Sequence, residues 1–576
     1  MRIRSRFRLA AACGAVAVLT VVASAGAATA LPSAGVSAAS TSGAPAVIPK
    51  PVSMTAGNGR FTLTPGTRVV VAPGSPAAAG VAKDLAADLR PATGYPLPVT
   101  TGPAGPGAIS LALGPRYKVA GDTGGEGYRL AVTPSGVTLG AATAHGLYDG
   151  VQTIRQLLPA AIASPSKAKG PWTIAATRIS DYPRYSYRGI MLDIARHYET
   201  PQTVERLIDQ ASAYKVNVFH LHLSDDQGFR IAINGFPNLT KIGSQGSVGT
   251  DGRTEDPGGY WTQAQYKAVA ADAAAHFMTL IPEVDSPGHD NAIIMSEYND
   301  TSNPLLNGDP QDIDCGASNP PQWDYTGDVG YSALCPASPN TWTIETAIIR
   351  QLDAITPGPY HDLGGDEVPT TILSQAQYAS FINQEAPIVR AQGKTVMGWA
   401  DIAGPGTDIP KGSIAEYWEP ASGSSSGTET GTEAVAKGMK VVMAPANHAY
   451  LDQRYAPNEP SNLGLTWACP NGCDVDQFYN WDPASYVSGV TDKNVIGVEG
   501  ALFGETVTDL SDIDTMVFPR LPALAEIGWS PKADRTSESS PAYQDFLTRL
   551  AAQGPRWKAA GMNYFPSSEV PWPAGS

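Results

Sequence analysis

Short apolar runs recur along residues 184–532, and amphipathic segments or long loops separate them. Eight of these runs have the composition of strands: Gly189–Ile194, Val216–Leu223, Thr279–Val284, Tyr360–Leu363, Thr395–Gly398, Ile414–Trp418, Lys440–Ala444 and Val495–Glu499. Four intervening segments have the periodicity of helices: Pro201–Lys215, Trp261–Phe277, Thr341–Ile355 and Ser374–Gln392. Strands that alternate with helices are typical of parallel sheets. Eight such repeats predict a (β/α)8 TIM barrel over residues 184–532.

A different pattern precedes and follows the barrel. Between residues 48 and 180, three strand-like runs alternate with two helical ones: Thr67–Ala72, Ala108–Leu113, Tyr128–Thr133, Ala77–Leu89 and Ala144–Leu158. This predicts a small α+β domain, and no catalytic constellation is evident in it. Residues 533–576 predict a helical tail that packs on the barrel, with a closing helix over Tyr543–Ala560.

The N-terminus is typical of a secretory signal peptide. Arg2, Arg4, Arg6 and Arg8 precede an apolar stretch from Leu9 to Ala23, and Ala28-Thr29-Ala30 offers a cleavage site. We therefore expect a signal peptide over residues 1–30, a flexible leader over 31–47 that is rich in small residues, and a secreted, extracellular protein. A membrane anchor is the alternative, but Gly and Ala dilute the apolar stretch. No later run approaches the roughly 18 apolar residues of a membrane span, so we expect no membrane contact after cleavage.

Composition narrows the possible partners. Hydrophobic residues make up 42% of the 576 residues, which is enough to build a large core. The chain has 39 basic and 54 acidic residues, which gives a net charge of -15. A nucleic-acid-binding surface needs clustered basic residues, because they contact the phosphates. We therefore expect no nucleic-acid partner.

Four cysteines remain after the predicted cleavage, and their spacing favours two local disulfides. The pairs would be Cys315 with Cys335 and Cys469 with Cys473. A four-cysteine zinc site is the alternative, but the first pair lacks the short spacing of zinc ligands.

In a (β/α)8 barrel the active site forms where the strands end. Polar and aromatic residues cluster at these predicted ends: Asp193, Arg196, His197, Asp225, Asp226, Glu283, Asp285, His289, Asp366, Glu367, Trp399, Trp418, Tyr450, Asp452, Phe503 and Glu505. Aromatic rings stack on the C–H faces of sugars, and carboxylates with an arginine bind sugar hydroxyls. Two carboxyl groups are sufficient for glycosidic cleavage. These residue types therefore indicate a glycoside hydrolase.

Asp366 and Glu367 are adjacent, and adjacent strand residues point to opposite faces. They converge only if the strand has ended before them, and Gly364-Gly365 permits such a departure from the pleat. The segment Leu363-Gly364-Gly365-Asp366-Glu367, with His361 upstream, resembles the active-site motif of the β-N-acetylhexosaminidases of glycoside hydrolase family 20. The resemblance covers residue 48 to the C-terminus. It is carried further by three segments: Leu192–Tyr198, His220–Gly228 and Pro282–His289.

The resemblance implies an exo-acting enzyme that removes terminal β-linked GlcNAc, and GalNAc as well, from chitooligosaccharides or glycoconjugates. The substrate's own acetamido oxygen would be the nucleophile, through an oxazolinium intermediate and with retention of configuration. Glu367 would be the general acid and base, Asp366 would orient the acetamido N–H, and Tyr450 would bind the acetamido carbonyl. Asp225 and His289 would support the general acid from behind. No cofactor and no metal is implied.

The resemblance assigns seven more residues to substrate binding: Arg196, Trp399, Trp418, Trp467, Asp452, Phe503 and Glu505. Trp399 and Trp418 would wall the acetamido methyl group. Arg196 would hold O3 and O4 of the sugar, and Asp452 and Glu505 would contact O4 and O6. Trp467 would stack on the leaving sugar.

Two positions depart from the family pattern. Asp362 stands where the motif has histidine, and His361 lies one residue earlier, a shift that turns a strand side chain to the opposite face. Phe503 stands where many relatives have tryptophan.

Two other functions compete with this interpretation. His220, His222, Asp225, Glu283, Asp285 and His289 resemble the ligands of a metal-dependent hydrolase. However, His220 and His222 lie inside the predicted strand, where they would fill the barrel. A non-catalytic sugar-binding module is the second alternative. The epimer preference, the natural polymer and the oligomeric state do not follow from the sequence.

Overall fold

The computed structural model describes residues 46–249, 258–420, 425–458, 463–533, 535 and 537–574. The predicted signal peptide lies outside these residues, as does the predicted leader except for residues 46 and 47. Val47 is fully buried, and its carbonyl accepts a hydrogen bond of 3.0 Å from Arg549 Nη1. This end of the predicted leader is therefore part of the folded protein. Within the described residues, none of the helices has the length and apolar character that crossing a membrane requires.

The N-terminal region is an α+β domain, as predicted. Its strands are β1 (Ser53–Thr62), β2 (Arg68–Val71), β3 (Val99–Thr101), β4 (Ala108–Leu113), β5 (Tyr128–Thr133), β6 (Gly136–Ala141) and β7 (Thr173–Asp181). They form one sheet in the order β1-β7-β5-β6-β4-β2-β3. Helices α1 (Pro76–Thr93) and α2 (Ala144–Leu157) share one apolar core with this sheet.

Eight parallel strands close into a barrel, which confirms the predicted TIM-barrel fold. They are β8 (Tyr187–Asp193), β9 (Val218–His222), β12 (Thr279–Glu283), β13 (Tyr360–Asp362), β14 (Thr395–Trp399), β15 (Ile414–Tyr417), β16 (Lys440–Met443) and β17 (Val495–Leu502). A two-stranded ribbon of β10 (Ser224–Asp225) and β11 (Gly228–Phe229) follows β9.

Helices surround the barrel and continue into the tail. They are α3 (Pro201–Ser212), α4 (Asn238–Lys241), α5 (Gln263–Ala275), α6 (Asn291–Glu297), α7 (Pro339–Ile355), α8 (Gln375–Ala391), α9 (Ser425–Ala436), α10 (Ala446–Ala449), α11 (Val475–Tyr479), α12 (Leu510–Val517), α13 (Arg520–Trp529), α14 (Pro541–Ala551) and α15 (Gly554–Ala560). Thr200 caps α3, because its side chain accepts a hydrogen bond from the Thr203 N–H at 3.2 Å.

The barrel interior changes from apolar to polar along its axis. Near the start of the strands, buried apolar side chains fill it: Tyr187, Val218, Ile281, Met397, Ile414 and Val442. Further along, His220 lies with its Nδ1 2.9 Å from Glu499 Oε1 and its Nε2 3.0 Å from Glu283 Oε2. His220 therefore fills the barrel, as expected from its position within a strand. The polar residues at the strand ends continue this layer.

The predicted closing helix Tyr543–Ala560 is wrong as a single helix. The structure has two helices, α14 and α15, with a break at residues 552 and 553. Pro555 explains the break, because proline lacks an N–H and its ring clashes with the carbonyl four residues earlier in a continuous helix. The first tail helix is held by Arg549, whose guanidinium lies 2.6 Å from Glu526 on α13.

Trp529 joins the barrel to the N-terminal domain. It ends α13, yet it belongs to the apolar core of the sheet and is fully buried. Its indole N–H donates a 3.0 Å hydrogen bond to Asp181 at the end of β7. Arg188 and Lys215 lie over its ring, with the cationic groups 5.0 and 4.7 Å from the ring centroid.

Trp529→Ala is expected to lower the free energy of unfolding by about 3–5 kcal/mol, because it leaves a cavity between the two domains. Urea unfolding followed by circular dichroism measures this loss. Trp467→Ala is the matched control, since Trp467 is 51% exposed and little packing is lost. Equal losses in the two variants would contradict the role of Trp529 as the link between the domains.

Candidate active site

A cavity of about 350 Å³ opens at the carboxyl ends of the barrel strands. Its described lining residues are Arg196, Asp225, Asp285, His289, Gly327, Val329, Asp366, Glu367, Trp418, Glu419, Tyr450, Asp452, Leu465, Trp467, Phe503 and Glu505. Eleven of the twelve residues predicted for catalysis, binding or support of the acid lie in this wall, and Trp399 is the exception. The volume is at the lower end of the range for ligand pockets.

An unusual turn connects strand β13 to Asp366 and Glu367, which we call the acid pair. Strand β13 ends at Asp362, and Gly364, Gly365 and Glu367 have positive φ angles of 66°, 95° and 51°. A Cβ atom on Gly364 would lie 2.0 Å from Asp285 Oδ1, so only glycine fits there. The turn brings two adjacent carboxylates to the same cavity, with exposed side-chain fractions of 13% for Asp366 and 33% for Glu367.

His289 links this pair to a buried carboxylate. Its Nε2 lies 3.4 Å from Glu367 Oε2 and 4.0 Å from Asp366 Oδ2, and its Nδ1 lies 3.3 Å from Asp225 Oδ1. Burial opposes the charged imidazolium, but the nearby carboxylates, Asp225 above all, outweigh it and raise the pKa of His289 well above its usual value. A protonated His289 can donate a hydrogen bond to Glu367 while Asp225 balances its charge.

Asp225 is itself held by two further donors. Arg196 Nη1 lies 2.7 Å and His222 Nε2 lies 2.8 Å from its Oδ2. Burial raises its pKa, but Arg196 and His289 oppose this and hold the pKa of Asp225 well below its usual range. Asp225 is therefore ionised at neutral pH.

Asp366 and Asp285 compete for ionisation. Burial and the charge of Asp285 raise the pKa of Asp366 well above its usual value. Burial also raises the pKa of Asp285, whose Oδ1 accepts a 2.8 Å hydrogen bond from the N–H of Gly365. Oxygen atoms of the two carboxyl groups lie within 4.8 Å of each other, so ionisation of one group opposes ionisation of the other.

Aromatic rings form one side of the cavity. The Tyr450 ring centroid lies 5.2 Å from that of Phe503 and 5.9 Å from that of Trp467. Trp418 packs edge-on against Trp467 at 6.2 Å, and its indole N–H donates a 2.9 Å hydrogen bond to Asp401 Oδ2. Trp467 is 51% exposed at the mouth. These faces suit the C–H surfaces of a sugar ring.

Trp399 was expected to wall the acetamido methyl group, but in the structure it does not line the cavity. It is 1% exposed and packs behind Phe503 and Tyr450, at centroid distances of 5.9 and 6.5 Å. Its indole N–H donates a 3.0 Å hydrogen bond to Glu283 Oε1. Glu283 lies in the barrel interior, so this bond points the indole ring inward. Trp399 therefore supports the aromatic wall from below, as a floor under Phe503 and Tyr450.

Asp452 and Glu505 lie together at another part of the wall. Burial and the neighbouring Glu505 raise the pKa of Asp452 to about 8. Burial also raises the pKa of Glu505, although Arg196 opposes this. The Arg196 guanidinium carbon lies 5.4 Å from the Phe503 ring centroid. The Phe503 ring therefore packs beside the polar residues of this part of the wall. Hydroxyl groups of a ligand are suitable partners for this arrangement.

The departure from the motif at β13 involves His361 and Asp362, whose side chains point in opposite directions. His361 points to the helix layer, where its Nδ1 lies 2.8 Å from Asp353 Oδ1 on α7. Asp362 points into the barrel, 4.0 Å from His220 Nε2, and its Oδ1 accepts a 2.8 Å hydrogen bond from the Gly364 N–H. Asp362 therefore helps to form the turn that carries the acid pair.

Both parts of the chain match one family. Residues 185–532 match the catalytic domain of glycosyl hydrolase family 20, and residues 44–182 match its domain 2. The chain belongs to glycosyl hydrolase family 20. It is 36% identical over 534 residues to the beta-N-acetylhexosaminidase of Cellulomonas fimi, covering 92% of this chain and 97% of that protein.

Two solved structures of the family are similar over the same extent. The beta-N-acetylhexosaminidase from Streptomyces coelicolor A3(2) has a TM-score of 0.81 and 39% identity, covering 92% of this chain and 99% of that one. A mutant Streptomyces plicatus beta-hexosaminidase in complex with its product GlcNAc has a TM-score of 0.81 and 40% identity, covering 92% and 98%. This family member is therefore an enzyme, a glycoside hydrolase.

Several groups of acidic residues and histidines lie close enough to hold a cation. They include His220 with Asp362 and Glu416, His222 with Glu283 and Asp285, and Asp225 with Asp226 and His289. In each group the histidine nitrogens already lie beside carboxylates of this chain. These internal ion pairs give the groups a role without a metal.

The sequence did not reveal every residue of the cavity wall. Gly327 and Val329 reach it from the long loop between β12 and β13, in which the structure pairs Cys315 with Cys335. The disulfide was predicted, but the spacing of the two cysteines in the sequence does not show that the loop between them covers the cavity. Asp401, the partner of Trp418, follows β14 directly and could have been noticed as a strand-end carboxylate. Cys469 pairs with Cys473 close to Trp467.

Asp285→Asn is expected to shift the acidic limb of the pH–activity profile to lower pH. The variant removes a charge that raises the pKa of Asp366, so Asp366 stays ionised further into acid, while the Asn oxygen still accepts the Gly365 N–H. The measurement is kcat/KM against pH. Asp408→Asn, at an exposed position, is the control and should leave the limb in place. A shift to higher pH would contradict this electrostatic account.

Proposed function

We propose that this enzyme is a secreted, exo-acting β-N-acetylhexosaminidase that removes terminal β-linked GlcNAc or GalNAc with retention of configuration. The observation that carries the proposal is the pair Asp366–Glu367 at one small cavity, with His289 behind Glu367. A cavity of about 350 Å³ suits one terminal sugar better than an internal segment of a polymer. The similar Streptomyces plicatus enzyme has been solved with GlcNAc as its product, which supports the substrate class.

The first step uses the substrate's own amide. Asp366 accepts a hydrogen bond from the acetamido N–H, and Tyr450 donates one to the acetamido oxygen. This oxygen attacks the anomeric carbon, and the bond from that carbon to the leaving oxygen breaks while Glu367 protonates the leaving oxygen. The intermediate is a bicyclic oxazolinium ion, and the ionised Asp366 stabilises its positive charge.

The second step reverses the proton transfer. Glu367 takes a proton from water, and the water oxygen attacks the anomeric carbon from the face that the leaving group vacated. The bond to the acetamido oxygen breaks, and the two inversions give net retention. Glu367 serves as acid and then base, and its exposed fraction of 33% gives both the leaving group and water access to it.

The remaining wall supplies recognition. Arg196, Asp452 and Glu505 offer polar partners for the sugar hydroxyls, and Trp418 with Phe503 offers apolar faces. Trp467 lies 51% exposed at the mouth, where a leaving sugar of a chitooligosaccharide or glycoconjugate would stack. The basic and apolar pattern of residues 1–30 supports the proposed export, and the two cysteine pairs suit an oxidising compartment.

Hydrolysis of three p-nitrophenyl β-glycosides tests the nucleophile. The GlcNAc and GalNAc glycosides should turn over, and the glucoside should be slower by at least about 10³-fold, because the intramolecular amide is worth roughly 10⁵–10⁸ M of effective concentration. The measurement is kcat/KM for each glycoside. Comparable turnover of the glucoside, or a glycosyl ester trapped on a side chain, would reject substrate assistance.

Glu367→Gln is expected to lower kcat on chitobiose by roughly 10²–10⁴-fold, because proton transfer to the leaving oxygen is lost. The loss should be smaller on p-nitrophenyl GlcNAc, whose leaving group needs little protonation. Glu538→Gln, at an exposed position, is the matched control. If both substrates lose the same factor, Glu367 does not act as the general acid.

A further inference from the structure

The N-terminal sheet has one face that no α-helix of the described residues covers. Val69 and Val71 of β2 belong to the core with α1 and α2, whereas Val70 between them points to the opposite face. In the same way Leu130 and Val132 of β5 face the core, and Arg129 and Ala131 face away. We name this opposite side the open face.

Two adjoining hollows run across the open face. Their volumes are about 780 and about 270 Å³, and both are lined by Ala104, Ser110, Ala131 and Thr138. The shared residues make them one continuous groove. Most of its floor is built of small residues, and Gly140 leaves room for the ring of Tyr117, since a Cβ atom there would lie 2.3 Å from Tyr117 Cδ1. An aromatic ring therefore lies on this floor.

The charge of this groove is opposite to that of the chain. Arg116, Arg129 and Arg178 line it, and none of its described lining residues is Asp or Glu. The chain as a whole has a net charge of -15. Arg116 donates a hydrogen bond to the Tyr117 hydroxyl at 2.8 Å and lies over the Tyr117 ring, 4.7 Å from its centroid. Arg129 donates a hydrogen bond to the Lys118 carbonyl at 3.2 Å. None of these contacts neutralises the charge of an arginine.

Two of these arginines stand side by side. Arg129 is opposite Ser180 and Arg178 is opposite Ala131 in the antiparallel pair β5–β7, so the two arginines occupy diagonal positions. Diagonal neighbours lie about 7–8 Å apart, a distance at which like charges repel unless an anion lies between them. Both residues are exposed, so a ligand can reach both.

We propose that the open face binds a linear acidic polysaccharide. The arginines match its anionic groups, and Ser110 and Thr138 offer hydroxyls to its sugar hydroxyls. A folded protein partner is less well suited, because the small residues of the floor provide few large apolar anchors. The proposal does not depend on the glycosidase mechanism, because the open face is built from the N-terminal domain alone.

Affinity electrophoresis of the full chain in native gels tests the proposal, with polygalacturonate as a carboxylate probe and heparin as a sulfate probe. Wild type should be retarded by at least one of them, and the probe that acts identifies the anionic group. Arg129→Ala/Arg178→Ala should raise Kd at least about tenfold, since two charge-assisted contacts are lost. Thr138→Glu should also weaken binding, because it places a negative charge on the floor.

Arg350→Ala/Arg390→Ala is the matched control, as it removes two exposed arginines from the barrel helices α7 and α8. It should leave Kd unchanged, and all variants should hydrolyse p-nitrophenyl GlcNAc at the wild-type rate. Three outcomes would overturn the proposal: no retardation of wild type by either polysaccharide, an equal loss in the control, or equal retardation by polyglutamate. If the wild-type protein did not hydrolyse p-nitrophenyl GlcNAc, the proposed function would be wrong, but the result on polysaccharide binding would still stand.

Discussion

The active site depends on one buried charge, the carboxylate of Asp225. Arg196, His222 and His289 all lie within 3.3 Å of its oxygens. A carboxylate in this position is costly unless it is paired, and each of its partners would be equally costly without it. This mutual need holds Arg196 and His289 at fixed positions. In the proposed mechanism, substrate recognition by Arg196 and acid–base chemistry at Glu367 thus share one electrostatic centre.

The polar layer inside the barrel extends this centre away from the cavity. His222 bonds Asp225 on one side and Glu283 on the other, at 2.8 and 2.6 Å, and Glu283 accepts the indole N–H of Trp399 at 3.0 Å. Although burial lowers it, Glu283 raises the pKa of His222 to about 10, so this link stays charged at neutral pH. The aromatic floor and the acid pair are therefore positioned by the same chain of ion pairs.

Much of this arrangement follows from the sequence. Eight β-rich runs are enough to predict the barrel, and the barrel tells which residues meet at the strand ends, because all parallel strands point the same way. What sequence could not show is the depth of each residue. Trp399 is the last residue of β14 and Trp418 follows β15, but a hydrogen bond to Glu283 turns Trp399 inward and a bond to Asp401 holds Trp418 at the cavity wall. The paths of long loops could not be predicted either, since the residues around Val329 carry no sequence pattern that places Val329 in the cavity wall.

The difference between Asp366 and Glu367 shows how adjacent carboxylates come to suit different chemistry. The turn at Gly364-Gly365 exposes 13% of one side chain and 33% of the other. The less exposed Asp366 is buried beside Asp285, and both burial and the charge of Asp285 raise its pKa. A carboxylate in such a site is stabilised by a positive charge on the ligand, which suits the role proposed for Asp366. The more exposed Glu367 can exchange protons with a leaving group and with water, which is what an acid that later becomes a base requires. In the proposed mechanism the two roles are therefore set by depth in the cavity, and the glycine turn sets that depth.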